Sequence, residues 1–168
     1  MFKNLMEKLI NTASLDKTKD ACSRMHWHSI SPGSCPWALP EEYAYMKQII
    51  MDTNFVMLPF MYKVDIFSEI DRLIDFPYVL CILDKTLVEL QKVINTQKGK
   101  HKATAKLALE LINQAGVHTI PTADGSVDDL LLEQDAIIAT QDAALVKRLK
   151  THNKKVIQLR QRKYLILK

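Results

Sequence analysis

The sequence predicts an α/β protein: a central, mostly parallel sheet with helices on both faces, three layers in all, preceded by an N-terminal extension. Two observations carry this. Short apolar runs recur from Ile49 onward, each too brief for a helix and each suited to a strand buried on both faces. Between them lie longer stretches whose apolar residues repeat at helical spacing, and strands alternating with helices imply βαβ units. A third feature points to function. The first run, Ile49-Ile50-Met51, opens directly into Asp52-Thr53-Asn54. In open α/β sheets the C-terminal ends of the strands are where ligands bind.

The elements follow in order. Residues 1–46 read as an extension. Phe2, Leu5, Met6, Leu9 and Ile10 are spaced for one face of a short helix, and a Pro/Ser/Gly-containing loop runs from Ser29 to Pro40. Residues 47–168 read as the folded domain. Strand Ile49–Asp52 comes first, then Pro59 and a helix with Phe67, Ile70, Leu73 and Ile74 on one face, stopped by Pro77. Tyr78–Ile82 is the second strand. Asp84 is the expected N-cap of the next helix, with Leu87, Leu90, Val93 and Ile94 inward. Another helix runs from about His101 to Ala115 and ends at Gly116. Val117–Ile120 is the third strand, and Ser126 caps a short helix bearing Asp128 and Asp129. Ala136–Thr140 is the fourth strand, and Asp142 caps a helix with Leu145, Val146 and Leu149 inward. Lys155–Leu159 is the fifth strand, and Tyr164–Leu167 a sixth or an edge extension.

With 168 residues the chain can bury one sizeable core. An apolar fraction of 48% and a charged fraction of 25% exclude a disordered polypeptide. Cys22, Cys35 and Cys81 do not make a disulfide framework, so a reducing, cytoplasmic setting is expected. The opening residues lack the apolar core of a signal peptide, and no stretch has the length to span a bilayer, so no membrane partner is expected. Cys22, His26, His28 and Cys35 are zinc-ligand types, but without a Cys-x-x-Cys knuckle their spacing favours ordinary loop residues.

Net charge is +4, and its distribution matters more than its size. Leu107 to Val146 holds no Lys or Arg but contains Glu110, Asp124, Asp128, Asp129, Glu133, Asp135 and Asp142. Lys85 to Lys106 holds six lysines against Glu89 alone, and after Asp142 every charge is positive. An acidic centre between basic segments suits a metal-dependent enzyme acting on a polyanion; solvated helix faces and a basic tail would look the same. Asp52, Glu89, Asp128 or its neighbour Asp129, and Asp142 all fall at or near one end of a parallel sheet. Carboxylates that converge repel one another and call for cations or shifted acidities. Hard oxygen ligands favour Mg²⁺ or Mn²⁺. Asn54 and Thr140 are placed to orient a carboxylate. Against this, Asp is a common N-cap, a role that by itself accounts for Asp128 and Asp142.

These residues resemble the PIN-domain ribonucleases: Asp52-Thr53-Asn54 after Ile-Ile-Met, Glu89 in Thr-Leu-Val-Glu-Leu, Val-Asp-Asp at 127–129 and Ala-Thr-Gln-Asp at 139–142. The ending Val156–Leu165 is similar to the archaeal branch related to small-subunit rRNA-processing PIN endonucleases. The resemblance covers about Lys47 to Lys168. It implies a PIN-like three-layer α/β/α sandwich and hydrolytic endonuclease activity on single-stranded RNA with Mg²⁺ or Mn²⁺, leaving 5′-phosphate and 3′-hydroxyl ends. It implies an acidic quartet of Asp52, Glu89, Asp128 and Asp142, supported by Asn54 and Thr140. The segment from Asp129 to Ala136 is short for the family, and residues 1–48 match none of its pattern.

The leading expectation is a metal-dependent endoribonuclease in rRNA processing, acting on pre-rRNA or a pre-ribosomal particle; a toxin-type role is the sub-alternative. A catalytically silent PIN fold that binds RNA or protein is the second expectation. In either case Lys147, Arg148, Lys154, Lys155 and Arg160 are the expected RNA contacts, and duplex DNA is not an expected partner. A phosphoacceptor domain is disfavoured because Asp52 has no acidic neighbour. Family relatives frequently dimerise, and Met57, Phe60 and Met61 are where a homodimer contact is expected if they are not core. Trp27, Trp37, Tyr43 and Tyr45 are expected to pack the extension rather than stack on bases. His101, His118 and His152 receive no role.

Overall fold

The structure, a computed structural model, describes residues 46–168. The zinc-type cluster and the aromatic residues of the extension lie outside them. The described elements are β1 (Lys47–Met51), α1 (Thr53–Val56), α2 (Leu58–Tyr62), α3 (Ile66–Leu73), β2 (Tyr78–Leu83), α4 (Asp84–Thr96), α5 (Lys100–Gln114), β3 (His118–Ile120), α6 (Val127–Glu133), β4 (Ile137–Ala139), α7 (Ala143–Thr151), β5 (Val156–Arg160) and β6 (Tyr164–Leu167).

The six strands form one sheet in the order β3-β2-β1-β4-β5-β6. The first five are parallel, and β6 returns antiparallel to β5. Alternate side chains of each strand feed two apolar layers, as the two-residue strand period requires. Ile49, Met51, Ile82, Ile137, Ala139, Ile157 and Leu159 join α1–α5 on one face. Ile50, Cys81, Leu83, Ile138 and Val156 join Leu130, Leu131, Leu145 and Leu149 of α6 and α7 on the other. The three-layer α/β/α sandwich expected from the sequence is therefore the observed one.

The chain lays down β1, β2 and β3 in one direction, then crosses to the far side of β1 to place β4 and β5. The order reverses between β1 and β4, and such a switch point leaves a crevice at the strand C-termini. Two local departures from expectation stand out. Two short helices, α1 and α2, occupy Thr53–Tyr62, with Pro59 in the first turn of α2, where its missing N–H costs nothing. The cap before α4 is Leu83, and Asp84 is the first helical residue, its carboxylate accepting from Lys85 N and from Thr122. Met57 and Phe60 are core residues, and Met61 is half-buried against that core. Ser126 and Asp142 cap α6 and α7 as expected, and Gly116, at φ +64, follows α5. Among the described residues no helix is long and apolar enough to cross a membrane.

Candidate active site

Asp52 sits where β1 ends, at the switch point. Its backbone N–H donates to Ala139 O of β4 at 2.9 Å, so the neighbouring strand fixes the position of the carboxylate. The side chain is only 5% exposed. One carboxylate oxygen accepts from Thr53 N at 2.7 Å, and the other from Thr140 Oγ1 at 2.9 Å. Thr140, fully buried at the end of β4, also accepts from Asp142 N at 3.1 Å. One hydroxyl thus joins the ends of two strands to the start of α7. Asp142 spends its carboxylate on the first turn of that helix, accepting from Ala144 N at 2.7 Å and Leu145 N at 3.2 Å.

Glu89 approaches from the second turn of α4 and accepts a hydrogen bond from Thr53 Oγ1. Thr53 therefore links the two carboxylates: its N–H holds Asp52 and its hydroxyl holds Glu89. Burial raises the Asp52 pKa above the ordinary carboxylate value; the Thr140 and Thr53 hydrogen bonds oppose this, and the negative charges of Glu89 and Asp128 add to it. The carboxylate is thus held in a place that disfavours its own charge.

Asp128 and Asp129 open α6. Asp129 bonds Ser126 and Arg148 of α7, and Ser126 followed by Arg148 holds its carboxyl below the ordinary range. Arg148 also lies 3.9 Å from Asp128. Asp128 is the acid that acts electrostatically on Asp52, whereas Asp129 is engaged by Ser126 and Arg148.

The expected residues do not all converge. Asn54 is exposed on α1, and the group supporting Asp52 from that side is the backbone N–H of Thr53. Arg148 faces carboxylates. Lys154 and Lys155 precede β5 and line a cleft at the N-terminal end of the sheet with Lys47 and Asp135. Lys154 Nζ donates there to Gln134 O at 2.8 Å. Arg160 ends β5 at the same end of the sheet as Asp52. Lys147 is exposed on α7.

The sequence reading also passed over Gln141. Its amide donates to Leu159 O at 3.1 Å and accepts from Leu159 N at 3.0 Å, extending the β4–β5 ladder by one side-chain pair. Its position between Thr140 and Asp142 was the available signal.

A family model described as a PIN like domain matches residues 49–162, the segment that contains this arrangement. The chain belongs to the PIN family. Ribonuclease VapC4 of Methanocaldococcus jannaschii is 32% identical over 124 residues, covering 71% of this chain and 95% of that protein. The solved PIN domain endonuclease Utp24 superposes with a TM-score of 0.59 at 20% identity, covering 72% of this chain and 90% of that one, a likeness of fold.

The donors at this PIN-domain crevice are carboxylate oxygens, the chemistry that Mg²⁺ and Mn²⁺ select. Among the described residues no three Asp, Glu, His or Cys side chains stand close enough to share one ion as they are. Asp52 and Glu89, tied through Thr53, are the fixed pair, and Asp128 is the third charge facing Asp52.

Proposed function

We infer that the protein is a divalent-metal-dependent endoribonuclease that hydrolyses single-stranded RNA. The observation that carries this is Asp52: buried at the switch point, fixed by two strands, and burdened by the charges of Glu89 and Asp128. A fold that needed only a cap at this position would not gather further negative charge around it. Identity to a ribonuclease along nearly the whole of that relative supports the same reading. Asp52 and Glu89 would hold Mg²⁺ or Mn²⁺, with Asp128 completing the set.

When bound, such an ion supplies Lewis-acid polarisation of the phosphodiester and lowers the pKa of an attacking water. The chain's own residues do the rest. Thr53 and Thr140 hold the carboxylates in fixed orientation, so that little rearrangement is required during reaction. Asp142 anchors the N-terminus of α7 beside Thr140 and adds negative charge to the crevice rim. The biological substrate is a pre-rRNA or, in a toxin-type setting, another cellular RNA.

The test is cleavage of labelled single-stranded RNA in Mn²⁺ by wild type and Asp52→Asn, with binding measured on the same samples. We expect the wild type to cut, and the variant to bind RNA while cutting at least about 10³-fold more slowly, the scale of losing a principal source of electrostatic stabilisation. Equal binding with no cutting by either would favour a silent RNA-binding PIN fold, a reading that draws on the absence of a ready-made three-carboxylate cage.

A further inference from the structure

We propose that the cleft between the β5–β6 turn and the α2–α3 junction grips the phosphate backbone of the RNA strand beside the cut site. This rests on the endoribonuclease reading and adds where the strand is held. The cleft, of about 410 Å³, is lined by Tyr62, Lys63, Asp65, Glu69, Arg162 and Lys163 among others.

Position is the first argument. β5 runs parallel to β1 and β4, so Arg160 and the turn after it lie at the same end of the sheet as Asp52. Two strand spacings separate β1 from β5, about 10 Å. Gln141 ties the two places together: it bonds both backbone groups of Leu159, while the adjacent Thr140 holds Asp52. A strand gripped at the turn is therefore held in fixed register with the carboxylates.

Charge is the second. Arg160, Arg162, Lys163 and Lys63 are all exposed, and among the described residues none of them forms an ion pair. The acids of the cleft are engaged locally: Asp65 accepts from Ser68 N and Oγ, and Glu69 from Arg72 and Leu165 N. The cleft at the other end of the sheet differs, since Lys47 lies 3.6 Å from Asp135 and Lys154 donates to Gln134 O. Cations that form no ion pair among the described residues, set around a concave surface, are what a polyanion seeks.

Backbone geometry is the third. Among the described residues four non-glycine positions have positive φ, and three of them meet here: Lys63 at 59°, Gln161 at 51° and Arg162 at 57°. The turn is closed by Lys163 N donating to Arg160 O at 3.0 Å. Consecutive positive φ angles ordinarily fall to Asn or Gly. Long cationic side chains kept in that conformation point to a use for the side chains rather than for the turn. Arg162 lies over the Tyr62 ring, 5.3 Å from its centroid, which steadies the guanidinium while leaving its N–H groups to donate.

The experiment is equilibrium binding of a short labelled oligouridylate to the full chain across a salt series, in the Asp52→Asn background so that the probe stays intact. Arg162→Asn with Lys163→Gln is the test variant, and Asn tolerates the positive φ at 162. Lys163→Gln alone keeps the turn wholly native. Lys154→Gln with Lys155→Gln is the control. If two phosphates are gripped, the double variant binds about tenfold more weakly, and its log–log salt slope falls by about 1.4; Lys163→Gln alone lowers the slope by about 0.7. The control stays within about twofold of the parent.

Unchanged affinity and slope in the cleft variants, an equal loss in the control, or a parent that does not bind the probe would each overturn the proposal. Cleavage by the wild type in Mn²⁺ is scored separately. A chain that binds through the cleft but does not cut sinks only the nuclease reading. A chain that cuts while the cleft variants keep their salt slope sinks only the cleft.

Discussion

Asp52 at the mouth of the sheet and Glu69 at its antiparallel edge are built alike and behave oppositely. Each accepts a backbone N–H and a side-chain donor: Asp52 from Thr53 N and Thr140 Oγ1, Glu69 from Leu165 N and Arg72. Yet Asp52 has its pKa raised, by burial above all, and Glu69 has its pKa lowered, by the Arg72 hydrogen bond first. The difference is the company each keeps. Glu69 faces a guanidinium and closes the outer edge of β6, where Arg72 also donates to Leu165 O at 3.0 Å. A free strand edge is a template for unwanted pairing, and this clasp covers part of it. Asp52 faces Glu89 and Asp128 and, among the described residues, has no cation of its own. The surroundings of Glu69 favour its charge and those of Asp52 oppose it, the pattern that on the endoribonuclease reading belongs to a group kept for chemistry.

Asp52→Asn breaks the comparison most sharply. Cleavage should fall by at least about 10³-fold, while the melting temperature at pH 7 should rise by about 2–4 °C, the shift that about 1 kcal/mol produces in a domain of this size. The sign follows from the raised pKa. The folded state holds the Asp52 proton more tightly than the unfolded chain, so this contribution to stability is full at low pH and lost as pH rises through the folded value. Thermal melts of both proteins across pH should therefore coincide in acid and diverge towards neutrality. A variant less stable than wild type at pH 7 would show that the Thr53 and Thr140 hydrogen bonds outweigh the burial of the charge.

Thr140 and Thr86 sharpen the comparison among buried hydroxyls. Thr140 serves Asp52 and Asp142 at once, whereas Thr86 Oγ1, buried on α4, has no hydrogen-bond partner among the described residues. Thr140→Val strands two polar groups and should cost about 2 kcal/mol, or about 4–8 °C of melting temperature, with a parallel loss of cleavage. Thr86→Val removes an unpaired hydroxyl without changing shape and should leave stability equal or about 1 kcal/mol higher. Denaturant midpoints for the pair decide it; a loss at Thr86 would reveal a hidden partner.

Much of this was legible in the sequence because it rests on one-dimensional patterns. Apolar runs of strand length ending in Asp52 and Thr140, and helical spacing after Asp84 and Asp142, gave the layers and the location of the crevice. The helices at Thr53–Tyr62 were not legible, because an almost unbroken apolar segment containing Pro59 shows no period. Thr53 was hidden for a different reason: beside Asp52 it reads as the start of a helix, and its bond to Glu89 crosses 36 positions. Lys154, Lys155 and Arg160 seemed one basic group because they are close in sequence, but a five-residue strand sets them at opposite ends of the sheet, about 17 Å apart. The cleft at Gln161–Arg162 was invisible because Gln-Arg carries no turn signal, and only the backbone angles single it out.

Arg148 is the intermediate case between the two carboxylates, a cation that reaches the edge of the candidate site. It engages Asp129 and lies near Asp128. Arg148→Gln should release Asp128 and tighten Mn²⁺ binding a few-fold, read by electron paramagnetic resonance of free Mn²⁺, with the melting temperature nearly unchanged because the pair is exposed. Weaker Mn²⁺ binding would mean instead that Arg148 holds Asp128 in the position an ion requires.

The smallest effect is expected at Glu69, and its value lies in its sign. Glu69→Gln keeps an acceptor for Leu165 N but loses the ion pair with Arg72, so the protein should melt slightly lower at pH 7 and still cleave RNA. Because the folded pKa lies below the ordinary 4.5, the wild-type advantage is present above that value and disappears as pH falls through the folded one. The two melting curves should therefore converge in acid, as those of Asp52→Asn and wild type do, but from the opposite side, with the variant below rather than above. Added salt should narrow the gap at Glu69, which is partly exposed and screened, more than the gap at Asp52, which is buried among like charges. If salt affected the two equally, the contrast between an edge clasp and a buried, charge-burdened site would not hold.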